Sequence, residues 1–102
     1  MLMLKSSVKL QGVSPELVLG LCVCESVFHK YNIDLVITSL TDSKHSPNSL
    51  HYSGNAADLR ISNIPESVRP EIFSDLKNNL STHFDVILES DHIHIEYQPR
   101  FL

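Results

Sequence analysis

The run His92-Ile93-His94-Ile95-Glu96-Tyr97 alternates strictly between polar and apolar side chains. Side chains on a strand repeat every two residues, so Ile93, Ile95 and Tyr97 turn to a core and His92, His94 and Glu96 share the opposite face. Whatever this chain folds into has to bury one side of that strand and leave two imidazoles and a carboxylate on the other. Just before it, Phe84, Val86 and Leu88 alternate with Asp85, Ile87 and Glu89, giving another strand, and Glu89-Ser90-Asp91 is turn-like. The two strands read as a hairpin.

Upstream, Met1–Gly12 is a short lead-in in which Val8 and Leu10 alternate with Lys9 and Gln11. Ser14-Pro15-Glu16 is a helix start: a capping hydroxyl, proline at the first helical position and an acid in the first turn. Leu17, Leu21, Cys24, Phe28 and Tyr31 then make one helix face, and Asn32, which tolerates the left-handed conformation, is the stop. Ile33–Thr38 is β-branched and strand-like, as is Ala56–Ile61. Between them, Ser39–Ser53 is polar and aperiodic, and a loop this long in so small a domain points to function or disorder. Asn63 and Pro65 reopen a helical region whose main segment starts near Pro70, with Ile72, Phe73, Leu76 and Leu80 on one side. The order is helix, strand, loop, strand, helix, hairpin. It predicts a single α+β domain over residues 1–102, with an antiparallel sheet and helices packed on one side.

The chain has 102 residues with 42% hydrophobic and 20% charged, so it has the apolar content for one core and not for two. A chain this short buries only about 60–65% of its unfolded surface, and a bound metal would help hold it. Eight basic against twelve acidic residues leave a net charge of −4, which argues against nucleic acid as a partner. Cys22 and Cys24 lie two apart on a helix and are poorly placed to bridge each other; both read as small buried apolar residues. The apolar run Leu17–Val23 is broken by Gly20, is too short to span a bilayer and lacks a small-residue cleavage site. The expectation is synthesis in the cytoplasm without an export signal, no membrane insertion and no protein partner.

Chemistry concentrates in two clusters, Ser49–Asp58 and Asp91–His94. Imidazole and carboxylate together suit zinc, and catalytic zinc takes three protein ligands plus water. His51, Asp58 and His94 could make such a set, with Asp91 as a free carboxylate for proton transfer. Taken singly, His51 and Asp58 read equally well as polar surface residues, as do His29 and His83. Gly54 reads as a turn glycine with positive φ.

The first cluster matches the pattern S-x-H-x-x-G-x-A-x-D at Ser49, His51, Gly54, Ala56 and Asp58, and the second supplies a D-x-x-H ending at Asp91 and His94 with an H-x-H pair. Together they resemble the zinc D-alanyl-D-alanine carboxypeptidase family, whose fold is shared with vancomycin-resistance dipeptidases, phage endolysin peptidases and the Hedgehog signalling domain. The resemblance runs from about Ile33 to Tyr97, and the compact length is most similar to small carboxypeptidase-like proteins of bacteriophages. It implies the Hedgehog/DD-peptidase-like fold, one zinc ion per chain held by His51, Asp58 and His94, and Asp91 as the base. It implies that His92 assists the tetrahedral intermediate, that Ser49 binds substrate or orients the loop, and that Gly54 and Ala56 keep the backbone close. The implied substrates are peptidoglycan peptides, with action on the cell wall on release. One departure stands out. Many members carry an Arg shortly before the first motif, whereas here that stretch reads Thr38-Ser39-Leu40-Thr41 and the first Arg is Arg60. Lys44 or His45 is the candidate to replace it, or His92 supplies the donor alone, although Lys44 also reads as a solvated loop charge.

Two other functions compete with the peptidase. A non-catalytic relative would keep the zinc and serve as a binding module; Asp91 argues against it and the missing Arg for it. Alternatively, His92-Ile93-His94 would be the His-hydrophobic-His pair of a rolling-circle nuclease with Tyr97 as nucleophile. Such enzymes carry that Tyr on a later helix, but only five residues follow Tyr97, and the −4 charge disfavours DNA.

Overall fold

A computed structural model describes residues 1–40 and 54–99. Ser14 caps the first helix as its sequence requires: its hydroxyl oxygen accepts from the Leu17 N–H at 3.1 Å, and Pro15 opens α1 (Pro15–Lys30). Leu17, Leu21, Cys24, Val27 and Phe28 are its buried stripe. The helix ends in a Schellman arrangement. Asn32 takes φ 56°, its N–H donates to the His29 carbonyl at 3.0 Å, and the Ile33 N–H donates to the Phe28 carbonyl at 3.2 Å. That turn reverses the chain into β2 (Leu35–Ser39).

β3 (Ala56–Arg60) follows, then a single 3₁₀ turn (Glu66–Val68) leading into α2 (Arg69–Asn79), then the hairpin of β4 (Phe84–Leu88) and β5 (His92–Tyr97). The Glu89 N–H donates to the His92 carbonyl at 2.9 Å to close that hairpin. A strand absent from the sequence reading, β1 (Leu2–Leu4), lies at one edge. Among the described residues the strands form one five-stranded sheet in the order β1-β2-β3-β5-β4.

The sheet is mixed rather than antiparallel. β3, β5, β4 and β2 pair antiparallel, but β1 runs parallel to β2, with Leu2, Met3 and Leu4 opposite Leu35, Val36 and Ile37. A parallel pair needs a crossover, and α1 is that crossover. The helices pack on one side, as expected. α1 and α2 contact each other and cover the face that carries Leu35, Ile37, Ala57, Leu59, Ile93 and Ile95. The Tyr31 hydroxyl donates to Asp75 at 2.5 Å and ties the end of α1 to α2.

Gly20 sits where α1 meets Phe84; a Cβ there would lie 2.6 Å from the ring, so the glycine that interrupts the apolar run admits an aromatic side chain. Cys22 is exposed, against the expectation that both cysteines are buried; a helix turns positions two apart to different sides, and only Cys24 reaches the core. Burial pushes the Cys24 thiol up to about 12, leaving it protonated, and neither cysteine is bridged. No helix among the described residues is long and apolar enough to cross a membrane.

Candidate metal centre

The face of the sheet away from the helices carries the chemistry. β3 and β5 are neighbours, in a register that sets Asp58 opposite His94, Arg60 opposite His92 and Ala56 opposite Glu96. Alternation buries Leu59, Ile93 and Ile95 beneath and leaves Asp58, His92, His94 and Glu96 above. Directly opposed residues on paired strands have Cβ atoms only about 4.5–5.5 Å apart, so pairing alone brings an acid from the first motif to a histidine from the second. On the other side of β3 the register with β2 slips between Ile37 and Ser39, next to Asp58, and the Thr38 hydroxyl donates to the Asp58 carbonyl at 3.3 Å. Such bulges locally bend and re-aim a strand.

The side chains form a chain of contacts. His94 Nδ1 donates to Asp58 Oδ1 at 2.7 Å, and His94 Nε2 to Glu96 Oε1 at 2.5 Å. His92 Nε2 lies 3.5 Å from the same Asp58 oxygen, and His92 Nδ1 meets Asp91 Oδ1 at 2.6 Å. One ligand atom from each of Asp58, His92 and His94 falls within 4.8 Å of the others, close enough to hold a metal ion. These side chains are 18%, 29% and 15% exposed, whereas Asp91 is 84% exposed at the rim. Two imidazoles and a carboxylate that are sheltered but reachable match the donor chemistry of zinc-type ions.

Asp58 and His94 are thus brought together as the sequence suggested. His92 joins them as a third converging donor, and Asp91 sits on the outer nitrogen of His92. Ser49, His51, Lys44 and His45 lie outside the described residues. Arg60 was not singled out for this face; its placement opposite His92 follows from cross-strand register, which no single segment displays. Glu96 was visible through alternation, but its contact with His94 was not.

Both ring nitrogens of His94 face carboxylates, which favours its charged form. The hydrogen bond to Asp58 raises its pKa most, partial burial opposes, Glu96 adds, and the net effect lifts it from 6.5 to about 8. A raised histidine pKa stabilises the fold fully below the unfolded value of 6.5, and that contribution is lost as pH rises through about 8. It amounts to at most about 2 kcal/mol. Chelator-treated protein should therefore melt several degrees lower at pH 8.5 than at pH 6, and His94→Gln should flatten the difference. An equal slope in parent and variant would place the titrating group elsewhere.

Scans against protein-family models, curated proteins and solved structures found no match for this chain, so the case for its function rests on its own residues.

Proposed function

We propose that this chain is a zinc-dependent peptidase acting on the stem peptides of peptidoglycan, with the Hedgehog/DD-peptidase-like fold that its two motifs resemble. The observation that carries the reading is the Asp58–His94 contact: the last residue of the first motif meets the last residue of the second at 2.7 Å, with His92 beside them. Asp58 and His94 would hold the ion, with His51 as the third ligand in the motif. The convergence within 4.8 Å favours a second ligand set in which His92 takes that place. When bound, zinc supplies a Lewis acid that polarises a carbonyl and lowers the pKa of water.

The remaining chemistry belongs to the chain. Asp91 takes a proton from the attacking water and returns it to the leaving amine nitrogen, and its exposure at the rim lets it reach a bound peptide. In the motif-based ligand set His92 donates to the developing oxyanion, with its Nδ1 steadied by Asp91. Arg60, opposite His92 in the register, would grip the carboxylate of a D-alanyl-terminated peptide, the role left open by the Arg missing upstream.

The test is hydrolysis of a D-alanyl-terminated muropeptide, followed by mass spectrometry with and without chelator. Parent protein should cleave it and lose activity on chelation. Asp91→Asn should keep its zinc and lose roughly 10²–10⁴-fold in turnover, because the amide accepts no proton. A zinc-loaded parent that cleaves no muropeptide would replace the peptidase with a non-catalytic binding module. Asp91→Asn turning over at the parent rate would move the base to Glu89 or Glu96.

A further inference from the structure

We propose that Glu96 is a positioning residue for the metal centre: its carboxylate holds the Nε2–H of His94 and so presents the Nδ1 lone pair to the ion shared with Asp58. This rests on the metal reading above and adds a residue that neither motif contains. The two nitrogens of an imidazole point to opposite edges of the ring. Asp58 Oδ1 is 2.7 Å from Nδ1 and Glu96 Oε1 is 2.5 Å from Nε2, so the two carboxylates address opposite edges. The residues that converge within 4.8 Å are Asp58, His92 and His94, and Glu96 stands outside that group; the Asp58 oxygen that His92 Nε2 approaches at 3.5 Å is the one on His94 Nδ1. Glu96 is therefore placed to orient a ligand and not to be one.

The backbone makes this arrangement firm. Glu96 and His94 are two apart on β5, on one face, and β5 is paired on both sides: Glu96 lies between Ala56 of β3 and Asp85 of β4, and His94 between Asp58 and Ile87. The Glu96 side chain is 24% exposed, and sheltering strengthens a charge-assisted hydrogen bond. A carboxylate on the outer nitrogen of a metal-ligating histidine fixes its tautomer and makes the ligand more basic, and its removal typically costs about 10–100-fold in metal affinity.

The experiment titrates the full chain with Zn²⁺ against a chromophoric chelator for the parent, Glu96→Gln and Glu96→Ala, and reads the His94 tautomer by long-range ¹H–¹⁵N NMR in the zinc-loaded parent. Glu96→Ala should bind zinc about 10–100-fold more weakly. Glu96→Gln keeps a carbonyl acceptor for Nε2–H and should recover most of that loss. The parent spectrum, which needs no variant, should show the proton on Nε2. A proton on Nδ1, or Glu96→Ala binding zinc as tightly as the parent, would overturn the assignment while leaving the metal centre in place. A parent that binds no zinc would overturn the metal reading and this inference with it.

Discussion

Gly54→Ala is expected to cost the fold roughly 3–5 kcal/mol, combining a left-handed backbone with overpacking. Gly54 takes φ +76°, and a Cβ built there would lie 2.0 Å from the Gly12 carbonyl oxygen and 3.2 Å from the Ser14 nitrogen. Both neighbours are backbone, so no side chain can swing aside. The Gly54 carbonyl also accepts the Ser14 N–H at 3.0 Å, which fastens the entry to β3 onto the residue that caps α1. A methyl group would push that connection apart and disturb the helix cap and the strand bearing Asp58 together. For a domain of this size each kcal/mol shifts the melting temperature by about 4–8 °C, so a drop of roughly 15–30 °C is expected in thermal unfolding of chelator-treated protein. A melt within 3 °C of the parent, about half a kcal/mol, would show that Gly54 is not packed against Gly12 as described. The glycine of the first motif is thus explained by backbone conformation and close approach, whether or not a metal binds.

Much of this arrangement was legible where a single segment carries its own period. β5 was legible because its alternation has one meaning, and its polar face became the candidate site. The ends of α1 were legible because Ser14, Pro15 and Asn32 each satisfy a local requirement of the backbone. β1 was not, because Leu2, Met3 and Leu4 show no alternation, are all exposed, and form a strand only after α1 returns the chain alongside them. The exposure of Cys22 follows from helical geometry, which turns positions two apart to different sides, so the separation that keeps the two cysteines from bridging also keeps one of them out of the core. Register is the general gap. Asp58 and His94 could be nominated separately from their chemistry, but the pairing that sets them opposite each other, with Arg60 opposite His92, belongs to two strands at once. The contact between Glu96 and His94 needed atomic positions, because residues two apart on a strand can equally point past each other.

Under the proposed function, removal of the zinc is the other change expected to have a large effect. Asp58 and His94 sit on adjacent strands and are joined by their contact at 2.7 Å, so an ion held there stabilises the pairing of β3 with β5 in a small core. Free zinc at a thousand times its dissociation constant adds about 4 kcal/mol. Chelation should then lower the melting temperature by roughly 15 °C or more. The most direct measurement is the zinc content of the purified full chain beside that of His94→Ala, with folding of the variant confirmed by circular dichroism. One zinc per chain in the parent and loss of zinc in the variant is the expected result. A parent without zinc, or a variant with unchanged zinc content, would contradict the metal centre on which the proposed function depends.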